Sequence, residues 1–119
     1  MLKKGRYPRG KPGIEGEQNM IYEITTEENH LLVCLSGKIY MGEAARLREI
    51  LLGFIDKGQN TFIIDLSGVE YMDSSGLGTL VAIQKRALQK GGGVIIKGLQ
   101  GLVKELFELT RLIFVFEIQ

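Results

Sequence analysis

Apolar residues recur along this chain with two different periods, which predict strands and helices respectively. Short alternating or continuous apolar runs are typical of strands, and four segments show them: residues 21–25, 31–35, 61–66 and 94–96. Spacings of three and four are typical of amphipathic helices, and three segments show them: residues 44–55, 77–88 and 99–109. The closing segment, residues 114–118, fits a short strand or the start of a last element.

The order of these elements predicts the fold class. Polar residues 26–29 separate the first two strands, which fit a β-hairpin. After Gly37, strands alternate with helices, which predicts parallel strands joined by right-handed crossovers. Residues 61–66 are almost continuously apolar, as in a strand covered on both faces. We therefore predict an α/β fold, a single small domain with a mixed four- to five-stranded sheet, an N-terminal β-hairpin and helices packed against it.

Glycines and charged residues refine the limits of the helices. Gly58 is expected to end the first helix as a left-handed C-terminal residue, and the three glycines at 91–93 end the second helix. Glu43, Arg46 and Glu49 fall on what we expect to be the solvated face of the first helix.

The N-terminal segment differs in composition from the rest of the chain. Residues 1–19 carry five Lys or Arg and two Glu, a net charge of +3, so the remaining hundred residues carry −2. The segment also contains Pro8 and Pro12 and has almost no periodic apolar face, which is typical of a disordered leader or tail. Apolar patterning begins at Met20, so we expect the folded domain to occupy residues 20–119.

The residue types needed for catalysis are scarce. The only histidine, His30, falls in the predicted hairpin turn, so a serine nucleophile would lack a base. The single cysteine, Cys34, lies inside an apolar strand and is expected to be a small buried residue. One Cys and one His cannot form a zinc site, and a phosphate-binding glycine motif lacks its third glycine because Val81 stands there. We expect no metal, no cofactor and no direct nucleic-acid partner.

Targeting signals are also absent from the sequence. No apolar run is long enough to span a bilayer, and no apolar segment follows the basic N-terminus as it would in a signal peptide. With one cysteine the chain has no intrachain disulfide framework. We therefore expect a cytoplasmic protein that does not bind membranes.

A serine pair stands at the most informative position in the chain. An apolar strand is expected to end in a short loop, which delivers Asp73, Ser74, Ser75 and Gly76 to the start of the second helix. The first N–H groups of a helix have no partner within the helix, so this position accommodates negative charge. On the local pattern alone, Ser74 or Ser75 is a helix cap that contributes about 1 kcal/mol to stability.

The run at 73–78 strongly resembles the anti-sigma factor antagonists, bacterial members of the STAS domain family. It is preceded by residues 64–67 in the order that the family shows, and residues 91–94, 106–110 and 115–118 look like the family's C-terminal half. The resemblance covers essentially residues 20–119 and implies the family's α/β fold.

This resemblance also implies a function. In the family, a partner that is both a serine kinase and an anti-sigma factor phosphorylates a serine of the motif, and a phosphatase reverses the modification. The unphosphorylated form binds the partner and so releases sigma. When the family motif is matched to this sequence, it implies Ser74 as the phosphorylation target in preference to Ser75. The residues expected to contact the partner are Asp73, Ser74, Ser75, Gly76, Leu77, Tyr40 and Met41.

One departure from the family pattern affects this expectation. Family members usually carry an acidic residue shortly after the glycine that ends the second strand, whereas residues 37–40 here read Gly-Lys-Ile-Tyr, with Tyr40 in the place of the acid. An alternative function is therefore a scaffold or sensor module that binds another regulator without a phosphorylation cycle. A small hydrolase or nucleotide-binding protein that uses Asp73 and Ser74 ranks last, because base, metal site and phosphate loop are missing.

Overall fold

The computed structural model describes residues 19–119, so the predicted leader, residues 1–19, lies outside the described residues except for Asn19. The described chain contains five strands: β1 (Met20–Thr26), β2 (Leu31–Ile39), β3 (Thr61–Met72), β4 (Gly93–Lys97) and β5 (Glu117–Ile118). It also contains three α-helices and one 3₁₀ turn: α1 (Met41–Asp56), α2 (Ser74–Gln89), α3 (Gly101–Leu109) and the turn at Leu112–Phe114.

The strands form one mixed sheet in the order in which they occur along the chain, β1-β2-β3-β4-β5. β1 and β2 pair antiparallel, and each later pair is parallel. The turn of the hairpin contains His30, whose carbonyl accepts a hydrogen bond of 2.9 Å from the N–H of Glu27. The predicted fold class, hairpin and parallel crossovers are confirmed.

Burial alternates along every long strand, so only one face of the sheet is fully buried. The buried residues of β3 are Phe62, Ile64, Leu66, Val69 and Met72, and they form one core with residues of all three α-helices. Ile63, between them, is only half-buried. The prediction that this strand is covered on both faces is therefore wrong, because the residues of its second face, Thr61, Ile63 and Asp65, are only partly buried. Cys34, on that same face, is half-buried and not fully buried as expected.

The prediction of a loop before the serine pair is also wrong, because β3 continues through these residues as far as Met72. The register between β2 and β3 shifts where Ser36 pairs with Gly68, which is a β-bulge. Gly68 allows this close approach, since a Cβ there would lie 2.7 Å from the Cβ of Ser36. A bulge keeps the strand paired despite its Ser and Gly residues, so β2 likewise extends past its predicted end to Ile39.

The first two helices begin earlier than their apolar periodicity predicts. α1 begins at Met41 and α2 at Ser74, three residues before the predicted starts in each case, because glycines and polar residues make up most of the first turn of each helix and extend no apolar stripe. The end of α1 agrees with the prediction: Gly58 follows it with a φ of 102°. α3 is shorter than predicted and begins at Gly101.

Gln84 connects the second helix to the end of the chain. Its Oε1 accepts a hydrogen bond of 2.8 Å from the N–H of Val94, and its Nε2 donates one of 2.7 Å to the carbonyl of Val115. These two bonds link α2 to the start of β4 and to the segment before β5. The closing element predicted at residues 114–118 consists of the end of the 3₁₀ turn, Leu112–Phe114, and the two-residue strand β5.

Candidate functional site

Two helices begin side by side at one edge of the sheet. The adjacent parallel strands β2 and β3 are each followed by a helix after a single linking residue, Tyr40 or Asp73. The N–H of Asp73 donates a hydrogen bond of 3.2 Å to the carbonyl of Ile39, which keeps the two strand ends paired. Further along, the buried hydroxyl of Thr79 donates to the carbonyl of Ala44 at 3.2 Å. The residues predicted from the β2–α1 junction and from the serine motif therefore lie at the same edge.

Asp73 caps α2. Its Oδ1 accepts hydrogen bonds from the N–H groups of Ser75 at 3.0 Å and Gly76 at 3.3 Å, and from the Ser75 hydroxyl at 2.5 Å. The Ser75 hydroxyl and the two N–H groups hold the pKa of the Asp73 carboxyl below its ordinary value, against a smaller opposing effect of burial. The prediction that a serine caps the helix is therefore wrong, because the aspartate one residue earlier occupies the cap position.

The two serines differ in accessibility as a result. Ser75 is half-buried and its hydroxyl is engaged by Asp73, whereas Ser74 is exposed. Within residues 19–119 the Ser74 hydroxyl makes no hydrogen bond. It is thus the serine of the pair that a second protein can reach without first breaking a bond inside the domain.

Gly76 and Leu77, predicted to contact a partner, lie in the interior instead. A Cβ on Gly76 would lie 2.4 Å from Cγ of Met72 and 3.2 Å from a methyl group of Ile39. Leu77 is buried in the common core. Packing against β2 and β3 therefore accounts for this half of the motif, and the helix can approach the sheet this closely only with a glycine at 76.

Tyr40 and Met41 lie on the surface, as expected for residues that contact a partner. Tyr40 is 38% exposed and Met41 is 73% exposed, although most large apolar side chains of the domain are buried. The ring of Tyr40 lies against that of Tyr71 at the end of β3, with centroids 5.6 Å apart. The aromatic residue in the family's acidic position thus presents apolar surface beside the serine motif.

Glu43 was expected on the solvated face of α1, and that expectation is wrong. Its side chain is 7% exposed and bonds to three donors: the N–H of Tyr40 at 3.0 Å, and the N–H and the side-chain amide of Asn19 at 3.1 and 3.3 Å. Burial acts to raise the pKa of Glu43, but these hydrogen bonds outweigh it and hold the pKa below the ordinary value. Arg46 and Glu49 are exposed as predicted.

The role of Glu43 had a partial signal in the sequence. A glutamate three residues after the residue that precedes a helix commonly accepts the N–H of that residue, as Glu43 does for Tyr40. The usual motif places Ser or Thr at the first position, and Tyr40 obscured it. Because the Glu43 carboxylate points inward, it does not replace the surface acid that family members carry at the position of Tyr40.

The described residues offer no metal centre and no spanning helix. Between residues 19 and 119, no three His, Cys, Asp or Glu side chains are placed to hold a metal ion together. None of the helices in that part of the chain combines the length and the apolar character needed to cross a membrane.

Comparison with known proteins agrees with this geometry. Residues 22–119 match the family model described as the STAS domain. The anti-sigma-B factor antagonist of Bacillus subtilis is 33% identical over 94 residues, which cover 79% of this chain and 85% of that protein. An anti-sigma factor antagonist from Mycobacterium paratuberculosis has a similar structure, with a TM-score of 0.74 and 23% identity over 83% of this chain and 84% of that one. The Bacillus cell fate determinant SpoIIAA in its phosphorylated form has a TM-score of 0.69 and 17% identity, over 82% and 90% of the two chains.

Proposed function

This chain belongs to the STAS domain family, and we propose that it is an anti-sigma factor antagonist whose binding is controlled by phosphorylation of Ser74. Such antagonists are regulatory binding proteins and not enzymes. The observation that carries the proposal is the contrast within the serine pair: Ser74 is exposed and its hydroxyl has no hydrogen-bond partner among residues 19–119, while the Ser75 hydroxyl donates to Asp73. We further propose the cytoplasm as its location, because sigma factors act there.

The proposed modification needs ATP and a kinase, both of which the partner supplies. The Ser74 Oγ attacks the γ-phosphorus of ATP, an O–P bond to serine forms, the bond to ADP breaks, and the hydroxyl proton passes to a basic group of the kinase. A phosphatase hydrolyses the ester and regenerates the free hydroxyl. In this scheme the chain is the substrate, so it needs an accessible hydroxyl but no catalytic base of its own.

A phosphate on Ser74 is compatible with the fold. It would carry a charge of about −1.5 to −2 at neutral pH, beside the first N–H groups of α2, where negative charge is favoured. The Asp73 carboxylate opposes this effect, because its lowered pKa keeps it ionised at neutral pH. We therefore expect the phosphate to project outward from the surface and to leave the core unchanged.

The effect on a partner is larger than the effect on the fold. An interface that covers a neutral hydroxyl would have to desolvate a dianion after phosphorylation, and an unpaired buried charge costs several kcal/mol. Since about 1.4 kcal/mol corresponds to a tenfold change in affinity, one phosphate is sufficient to abolish binding. The predicted switch thus combines a large change in affinity with a small change in structure.

Intact-protein mass spectrometry tests this proposal. The chain is incubated with ATP and each anti-sigma-type serine kinase of its native organism, alongside Ser74→Ala and Ser75→Ala. We expect one phosphate on the wild type and on Ser75→Ala, and none on Ser74→Ala. A phosphate that persists on Ser74→Ala would contradict the assignment of the site.

A second function is favoured by one observation, the exposed Tyr40 at the position where family members usually carry an acid. The domain would then be a scaffold or sensor module that binds a regulator without a phosphorylation cycle. The same experiment separates the two functions, because a kinase-type partner that binds the wild type but never phosphorylates it supports the scaffold.

A further inference from the structure

Exposed apolar side chains concentrate near the end of the chain. Nine large apolar side chains are exposed among residues 19–119, and five of them belong to residues 102–118. Four of these five lie between the end of α3 and β5, and we call them the C-terminal surface: Leu109, Phe114, Val115 and Ile118. Leu109 at 80% and Phe114 at 76% are the two most exposed of the nine. A patch of this kind is typical of an interaction site.

The fold explains why Phe114 stays outside. Arg111, with a φ of 65°, leads from α3 into the 3₁₀ turn Leu112–Phe114. Two residues later Phe116 is buried, and its ring packs against that of Phe107 with the centroids 5.9 Å apart. Because Phe116 already covers Phe107 at this end of the core, the ring of Phe114 is left in solvent. The domain thus gains little burial energy from Phe114.

A groove lies beside these residues, between α3 and β5. It has a volume of about 520 Å³, and its apolar lining includes Ile113 and Ile118. Lys104 and Glu108, about one turn apart on α3, line it as well. Ile113 directly precedes Phe114, and the turn that contains both residues is in contact with α3 and β5. An exposed aromatic ring and an apolar groove are therefore neighbours on one side of the domain.

The charged residues around this groove carry both signs and lack partners. Lys104 and Glu108 line the groove, and Arg111 and Glu117 stand on either side of Phe114 along the chain. All four side chains are exposed, and none forms an ion pair with another of residues 19–119. Such a mixture does not match a nucleic acid or an anionic membrane, which would require one sign of charge. It matches a protein surface that carries the same mixture.

We propose that this chain forms a symmetric dimer through the C-terminal surface, with the Phe114 ring of each copy seated in the groove of the other. The occupant is a second copy because the surface is complementary to itself, since one copy carries the protruding ring, the groove and charges of both signs. In a two-fold dimer the same patch meets itself, so each ring faces a groove and the cations of one copy face the anions of the other. This dimer goes beyond the proposed function and does not depend on the modification of Ser74.

The proposed dimer leaves the serine motif accessible. α2 begins after the carboxyl end of β3, whereas the 3₁₀ turn precedes the parallel strand β5 and so lies at the opposite edge of the sheet. Phe114 and Ser74 are therefore at opposite ends of the domain, and we expect both copies of Ser74 to stay exposed. Phosphorylation and dimerisation can thus be measured separately.

Sedimentation velocity of the purified chain tests the interface. The wild type is compared with Phe114→Ala from about 1 µM to about 1 mM, a range that covers tight and weak dimers. We expect the wild type to sediment as a dimer at the upper concentrations and Phe114→Ala to raise the dissociation constant about tenfold or more. Met41→Ala is the matched control, because Met41 is also highly exposed, at 73%, but lies at the start of α1. It should dimerise as the wild type does.

Two results would overturn the proposal. A wild type that remains monomeric at every concentration would leave this surface to a different protein. A dimer that Phe114→Ala does not weaken would be formed through another surface. Both variants should keep the far-UV circular dichroism spectrum of the wild type, because the side chains that they replace are exposed.

Mixing of charge variants tests whether the occupant is a second copy. One variant, Glu108→Lys with Glu117→Lys, leaves only positive charges among the four residues, and the other, Lys104→Glu with Arg111→Glu, leaves only negative charges. Because like charges then face each other across the two-fold axis, we expect each variant alone to dimerise about tenfold more weakly than the wild type. An equimolar mixture should form a heterodimer that weakens as salt is added. Dimerisation of either variant alone with the strength of the wild type, or no association in the mixture, would overturn the proposal.

Discussion

The starts of α1 and α2 lie at the same edge of one sheet, but the carboxylate at each start accepts hydrogen bonds from different backbone N–H groups. At α2 the cap is local, since Asp73 immediately precedes the helix and accepts the N–H groups of Ser75 and Gly76. At α1 the carboxylate comes from inside the helix, where the buried Glu43 reaches back to the N–H of Tyr40 and across to Asn19 before β1. The hydrogen bonds of Asp73 stay within the start of α2, whereas those of Glu43 connect α1 to the residue that precedes β1.

This difference shows how the surface residues are left available. At α2 the aspartate performs the capping that a serine often performs, and the Ser74 hydroxyl makes no hydrogen bond within the described part of the chain. At α1 the glutamate satisfies the N–H of Tyr40 from below, so the aromatic side chain remains outside. Both helix starts therefore direct a carboxylate at backbone N–H groups and expose a neighbouring residue, Ser74 or Tyr40. Four predictions test this comparison.

The largest effect on stability is expected for Glu43→Ala. The substitution leaves the N–H of Tyr40 and two donors of Asn19 without their acceptor, in a partly buried position. We expect a loss of about 2 kcal/mol in the free energy of unfolding, measured by urea denaturation. Glu49→Ala, on the exposed side of the same helix, is the control and should change stability by no more than about 0.5 kcal/mol. Equal effects of the two substitutions would contradict the role assigned to Glu43.

A smaller loss is expected for Asp73→Ala, which removes a cap that serves one helix only. We expect about 1 kcal/mol, again by urea denaturation. Asp73→Asn should retain most of the stability, because an asparagine side-chain oxygen also caps a helix. A loss on Asp73→Ala that exceeds the loss on Glu43→Ala would reverse the comparison between the two helix starts.

Acidification should weaken both arrangements, because the folded state lowers the pKa of Glu43 and of Asp73. The unfolded chain then binds protons first, at ordinary pKa values of about 4.3 and 3.9. The stabilisation is fully present above those values and is lost as pH falls through the lower pKa values of the folded state. Urea midpoints between pH 6 and pH 2.5 should therefore fall less steeply for the double variant Glu43→Gln, Asp73→Asn. A double variant as sensitive to acid as the wild type would rule out these two carboxyls as the cause.

The smallest effects are expected within the serine pair. Ser75→Ala removes the hydroxyl hydrogen bond to Asp73 and should cost about 0.5–1 kcal/mol. Ser74→Ala should leave the urea midpoint unchanged within error, because that hydroxyl has no partner among residues 19–119. If Ser74→Ala were the more destabilising of the two, Ser74 would have a structural role that the contacts do not show.

Local pattern was sufficient for the elements and for part of the site. The number and order of strands and helices follow from apolar spacing, which reflects the two side-chain periods of the backbone. The motif around Ser74 was identified from its sequence, but the roles of its residues were not. Gly76 and Leu77 were assigned to a partner but lie in the interior, because α2 packs closely on Ile39 of β2, and a contact between residues so far apart in sequence leaves no local signal.

The sequence alone determined the class of fold, the position of the serine motif and the departure at Tyr40, because periodicity and motifs are properties of neighbouring residues. Only the tertiary structure decided that β3 continues through a bulge, that Glu43 faces inward and that Asp73 engages Ser75 while the Ser74 hydroxyl has no partner among residues 19–119. The first two depend on which residues of two distant segments share one register or one hydrogen bond, as in the pairing of Ser36 with Gly68 and the bond between Glu43 and Asn19. Such pairings are fixed by packing of the whole domain and leave no local pattern to read.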